Sequence, residues 1–169
     1  VYKESELKKL YIIRHAKSSW KDTTLDDFDR PLNKRGRVNA PFMGKKLKEQ
    51  NVMPSIIISS PAKRARTTAR IIAKELKYQK DIIYDEDIYE STPSRLHKII
   101  TQVEDKNSVL FLFGHNPSLN MLADMYVGLN ENIPTCGVVE IEFKCDKWRD
   151  ISAKNAKLIL FDYPKRYEE

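Results

Sequence analysis

Leu10-Tyr11-Ile12-Ile13-Arg14-His15-Ala16-Lys17 decides how this chain is read. Four consecutive apolar residues are too few for a helix, and they lack the alternation of a half-exposed strand. They suit a short strand buried on both faces, as in a sheet covered by helices. The run then stops on an arginine and a histidine. In open α/β sheets the carboxyl ends of the strands line the ligand crevice. Outward from this stretch the same pattern recurs twice. Residues 55–58, rich in Ile, run into Ser59-Ser60-Pro61-Ala62-Lys63-Arg64-Ala65, and residues 109–113 run into Gly114-His115-Asn116-Pro117. A weaker apolar piece lies at 82–84.

Helical patterns fill the intervals. Over 62–76, Ala65, Ala69, Ile72, Ala73 and Leu76 share one face, with Pro61 at the start, where a missing N–H costs nothing. Leu96, Ile99, Ile100 and Val103 mark a second helix, opened by the Ser/Thr/Pro segment 91–94. Leu119, Leu122, Ala123, Tyr126 and Val127 mark a third. Residues 33–50 also read as helical, but Pro41 predicts a break or kink near Ala40. Residues 138–143 and 158–161, separated by a polar stretch, read as an antiparallel strand pair. The expectation is a three-layer α/β/α sandwich: a mostly parallel central sheet with an antiparallel C-terminal edge.

The chain has 169 residues, a length for one domain, and no repeat or Gly/Ser linker divides it. A single domain over 1–169, with its core at about 10–164, is expected. The 41% hydrophobic content excludes a disordered chain. No apolar run approaches the ~20 residues of a membrane span, and no basic-plus-apolar leader is visible. Cys136 and Cys145 cannot make a disulfide scaffold, so they are read as reduced thiols of a cytoplasmic protein. Lys and Arg outnumber Asp and Glu by 30 to 24, giving +6. The basic excess falls between Lys34 and Lys80, and residues 81–90 are acidic. A nucleic-acid role would rest on charge alone, because no aromatic-basic platform accompanies it.

Two arginines and two histidines around one crevice define a chemistry. Paired guanidiniums clamp phosphate oxygens, and their charge favours neutral imidazole over imidazolium. A neutral His15 is then a nucleophile toward phosphorus, forming a phosphohistidine that water later cleaves. His115 would donate to an equatorial oxygen. The cationic side chains take the part of a metal, so neither metal nor cofactor is expected. Phosphate-loop, dinucleotide and nucleophile-elbow motifs are absent, and five glycines are too few for a backbone phosphate cradle. His97, the remaining histidine, is read as a helix residue with no role.

Taken in order, residues 10–20, Asp29-Arg30-Pro31-Leu32-Asn33-Lys34-Arg35-Gly36-Arg37, Ser59-Ser60-Pro61 with Arg64-Ala65 and Thr68-Ala69, Gly114-His115-Asn116-Pro117 and Pro134-Thr135-Cys136-Gly137 resemble the histidine phosphatase superfamily. Within it the chain is most similar to the SixA-type phosphohistidine phosphatases. The resemblance implies a phosphoglycerate-mutase-like fold, with His15 as phosphoacceptor and Arg14, Arg64 and His115 as the phosphate pocket. Ser18, Lys21 and Asn116 are the substrate-binding candidates. Asp29-Arg30-Pro31-Leu32 is read as mainly structural, with Arg30 paired to Asp29 or a neighbour. Ala16 replaces the Gly of the broad superfamily, and Lys21 replaces the Asn of the mutase branch. Ile88-Tyr89-Glu90 matches the position where many members carry a carboxylate general acid. Two readings of Glu90 stand: an acid for ester hydrolysis, or a solvated carboxylate in an acidic stretch.

The leading expectation is a metal-independent phosphatase acting on phosphohistidine of a signalling or phosphocarrier protein. A monoesterase on small molecules or phosphoserine/threonine proteins, using Glu90, is the alternative within the class. A catalytically inactive phosphate- or protein-binding module is the alternative outside it. The implied partner is a phosphorylated protein or small phosphorylated substrate, not a nucleic acid or membrane. The oligomeric state is open.

Overall fold

The computed structural model describes residues 6–168. Its centre is a six-stranded sheet, whose strands are β1 (Leu7–Arg14), β2 (Ile56–Ser59), β3 (Ile83–Tyr84), β4 (Val109–Gly114), β5 (Val138–Lys144) and β6 (Ala156–Asp162). Their order is β3-β2-β4-β1-β5-β6. The first four pair in parallel, and β5 and β6 form the antiparallel edge.

The continuous apolar runs are explained by two cores. Successive side chains of a strand point to opposite faces. Leu10 and Ile12 of β1, with Leu110 and Leu112 of β4, enter one core. Tyr11, Ile13, Phe111 and Phe113 enter the other. Helices α1 (Lys34–Glu49) and α2 (Lys63–Glu75) cover the second face through Met43, Leu47, Ala69 and Ile72. Helices α3 (Pro93–Thr101) and α4 (Ser118–Val127) cover the first through Leu96, Ile100, Leu119 and Leu122. The expected α/β/α sandwich is therefore present, with an antiparallel C-terminal edge. Among the described residues no helix is long and apolar enough to cross a membrane. Both cysteines are free.

Pro41 does not break α1, contrary to expectation; the helix is continuous from Lys34 to Glu49. A proline deprives the carbonyl four residues earlier of its donor, and here that residue is the exposed Arg37. Water can serve that carbonyl. Burial of Ala40, Met43, Gly44 and Leu47 against α2 holds the rest of the helix in line. The approach is close: a Cβ on Gly44 would lie 2.8 Å from Cβ of Glu75.

The sheet order places the site. β1 and β4 are neighbours in register, with Arg14 opposite Gly114. After β1 the chain passes to α1 on one face, and after β4 to α4 on the other. The gap above such a divergence is where open α/β sheets bind ligands.

Candidate active site

Register makes the chemistry converge. His15 N–H donates to the Gly114 carbonyl at 3.1 Å, and Ser60 N–H to the Phe113 carbonyl at 3.0 Å. The residues after β1, β2 and β4 thus emerge side by side, and the rings of His15 and His115 lie 5.2 Å apart. On the far flank, Cys136 N–H donates to the His15 carbonyl at 3.0 Å. Behind it, Ala16 N–H donates to Thr68 Oγ1, which itself donates to the Arg64 carbonyl. The loop carrying His15 is thereby tied to the first turns of α2, which carry Arg64.

Arg14, His15, Ser18, Arg64, His115 and Asn116 all line one cavity of about 350 Å³, together with Lys17, Trp20, Arg30 and Thr135. Lys21 and Glu90 do not line it. Lys21 is exposed, and its backbone N–H donates to Ser19 Oγ. Glu90 is exposed and has a left-handed φ of 52°.

Burial and charge shift both pocket histidines toward the neutral form. His15 is pushed down to about 4, first by burial and then by the charges of Arg64, Arg14 and Arg30, against the hydrogen bond to Ala16. His115 falls to about 3, from burial and the neighbouring His15. The tautomer of His15 follows from its partner. Nδ1 lies 2.7 Å from the Ala16 carbonyl. A carbonyl only accepts, so Nδ1 carries the proton and Nε2 keeps its lone pair. His115 Nε2 lies 2.7 Å from Ser60 Oγ. Its Nδ1 is buried with no partner, as is Nε of Arg14. Buried polar atoms of native proteins are nearly always paired, and an oxyanion in this cavity would supply acceptors. Asn116 spends its amide N–H groups on Asn132 and the Ile133 carbonyl, so it braces the rim.

Asp27 is the residue that sequence reasoning missed. It lies in a 3-10 turn, Asp27–Asp29, in the loop between β1 and α1. Its carboxylate accepts from Arg64 Nη2 at 2.9 Å, Arg30 Nη1 at 3.0 Å and Tyr89 OH at 2.7 Å, and its carbonyl accepts from Arg64 Nη1 at 2.6 Å. Burial pushes the carboxyl up, but the bonds from Tyr89, Arg64 and Arg30 outweigh it and hold Asp27 well below the usual carboxylate range. Tyr89 is pushed up to about 12 by burial and by the Asp27 bond, so its hydroxyl stays a donor. Its ring meets His115 edge-on at 5.6 Å. Arg30 belongs to the pocket as well as to the scaffold: it also donates to Ser18 Oγ at 2.5 Å and stacks under the exposed ring of Trp20. The sequence signal was an acid three residues before Arg30, but Asp29 stood closer and drew the pairing.

The family model for the histidine phosphatase superfamily (branch 1) matches residues 10–106, more than half of the chain. The chain belongs to the histidine phosphatase superfamily. An uncharacterized chloroplastic protein of Arabidopsis thaliana is 27% identical over 155 residues, which cover 86% of this chain and 71% of that protein. A protein from Agrobacterium tumefaciens assigned as the phosphohistidine phosphatase SixA superposes with a TM-score of 0.77 at 27% identity, over 93% of this chain and 98% of its own. A protein histidine phosphatase SixA complexed with tungstate gives 0.81 over 95% and 99% at 15% identity, a likeness of fold. The histidine phosphatase described here is thus an enzyme of the SixA-type branch with the phosphoglycerate-mutase-like fold, acting on a phosphorylated substrate.

Proposed function

We propose that this histidine phosphatase removes phosphate from phosphohistidine on a protein, through a phosphohistidine intermediate on its own His15. His15 Nε2, unprotonated and facing a cationic cavity, attacks phosphorus in line with the leaving group. Arg14, Arg64 and Nδ1 of His115 hold the equatorial oxygens as charge shifts in the transition state. The substrate imidazole leaves, and water then attacks the phosphoryl group on His15 to release inorganic phosphate and restore the neutral ring. The residues need no metal for this sequence, because three guanidiniums surround the phosphate site. Among the described residues no group of three or more His, Cys, Asp or Glu is placed to hold a metal ion.

The observation that carries the substrate assignment is the lack of a proton-bearing carboxyl among the described residues lining the pocket. Glu90 is outside, and Asp27, beside the pocket, is held ionised by three donors. An alkoxide leaving group needs a good acid, worth about 10²–10⁴-fold. A phosphorylated imidazole whose other ring nitrogen carries a proton leaves as neutral imidazole without one. The test is phosphate release, without added metal, from a phosphohistidine protein and a phosphoserine peptide compared side by side. Turnover of phosphohistidine at least a hundredfold faster is expected. Equal turnover of both would reverse the assignment in favour of a monoesterase.

A further inference from the structure

A second cavity, of about 390 Å³, adjoins the catalytic one and shares Arg14, Lys17 and Thr135 with it. Arg35 and Lys165 complete its charged lining, so among the described residues four cations and no carboxylate line this groove. Lys17 and Lys165 are exposed and form no ion pair among the described residues. Phosphate bound between Arg14 and Arg64 would leave Lys17 and Lys165 unmatched beside it, with Arg35 paired only to Glu168.

Arg35 already shows what chemistry it accepts. Its Nη2 donates to both carboxylate oxygens of Glu168, at 2.8 and 3.0 Å. Glu168 follows the C-terminal turn Pro164–Tyr167 and lines the hollow on the other side of Arg35, not the groove itself. Both partners are about half exposed, and such pairs exchange readily. A polypeptide carboxylate is thus the resident partner of one groove cation.

The surroundings suit a large substrate. Trp20 lines the phosphate pocket and is 74% exposed. The phosphate site therefore opens to solvent beside a bare aromatic surface, unlike the enclosed sites that bury most of a small ligand.

We propose that the groove of Lys17, Arg35 and Lys165 binds acidic side chains flanking the phosphorylated residue of a protein substrate. This rests on the protein-phosphatase reading above and makes the enzyme selective for acidic phosphosites. Binding at the groove is electrostatic, so the selectivity fades as salt rises.

The test uses the His15→Ala protein as a non-turning-over binder. The probes are fluorescein-labelled peptides with a central phosphoserine, flanked by Asp or by Ala, read by anisotropy. The Asp-flanked peptide is expected to bind about tenfold more tightly, as two or three exposed ion pairs would give. Adding Arg35→Glu and Lys165→Glu together should remove that preference, weakening the Asp-flanked peptide more than the Ala-flanked one. Adding Glu168→Gln should strengthen binding of the Asp-flanked peptide about twofold, because a competing carboxylate is gone. Equal affinities for the two peptides, or a preference that survives the double charge reversal, would overturn the proposal. A parallel assay of phosphoramidate hydrolysis in the His15 background shows that the Arg35→Glu/Lys165→Glu protein is folded. If the protein with His15 and an unaltered groove hydrolyses no phosphoramidate, while His15→Ala shows the acidic preference and loses it on charge reversal, the proposed activity fails and the groove stands.

Discussion

Asp27 offers the sharpest perturbation, because its carboxylate bonds two of the three pocket guanidiniums. Asp27→Asn keeps the volume and one acceptor oxygen and removes the charge. Arg64 and Arg30 are 9% and 8% exposed in their side chains, while Asp27 is 48% exposed. Hydrogen bonds to charged groups contribute about 1.5–3 kcal/mol, against about 0.5–1.5 for neutral pairs, so each guanidinium loses about 1 kcal/mol of anchoring. Solvent reaches the carboxylate and trims the sum to roughly 1–2 kcal/mol. If that anchoring aims Arg64 at the transition state, kcat falls about 5- to 30-fold. Binding of inorganic phosphate moves the other way. The pocket becomes more cationic, so phosphate inhibits the variant as well as or better than the wild type. The assay is phosphoramidate turnover without added metal, with phosphate as competitive inhibitor and a thermal midpoint as a check on folding. A kcat within twofold of wild type would refute the positioning role. So would weaker phosphate inhibition at an unchanged thermal midpoint.

Four further outcomes follow from the geometry. Depressed pKa values mean that His15 and His115 give up their protons at lower pH than a free histidine, so both are neutral at pH 7; their ring-proton NMR shifts should stay flat down to about pH 5, and a titration of either near 6.5 would contradict the burial argument. The unfolded chain protonates these rings near pH 6.5 while the folded one waits until about 4 or below, so urea stability should fall as pH drops through that window, and a flat profile would oppose it. Glu90→Gln should leave phosphoramidate and phosphoserine turnover within about twofold, since Glu90 does not line the pocket, and a loss of about tenfold or more would return it to the mechanism. Gly36→Ala should cost about 1–3 kcal/mol and lower the thermal midpoint by several degrees, because its Cβ would meet the backbone oxygen of Lys17 at 2.2 Å; an unchanged midpoint would show that the loop behind His15 yields freely.

Much of this was legible because strand ends leave a plain record. Apolar runs that stop on Arg14-His15, Ser59-Ser60 and Gly114-His115 show both the buried sheet and the crevice, since burial on two faces forbids polar residues until the strand ends. The parallel pairing of β1 with β4 was not legible: it depends on sheet order, which local pattern does not carry. Pro41 misled because propensity weighs the residue but not its surroundings, here the exposed residue Arg37 four positions earlier and a tight seam with α2. Asp27 was hidden for a similar reason. Asp27 and Asp29 both precede Arg30, and only the 3-10 turn decides which carboxylate faces the guanidiniums. Glu90 matched a position in the family pattern, but its neighbour Tyr89 makes the contact with Asp27 and His115.

The central claim is that His15 takes the phosphoryl group. It is tested most directly by quenching the enzyme in alkali during turnover of a phosphohistidine protein and mapping the phosphoryl group by mass spectrometry. An acid-labile, base-stable phosphate on His15, absent in His15→Ala, is the predicted result. Turnover with His15 unmodified, or a phosphoryl group on another residue that survives His15→Ala, would contradict the account.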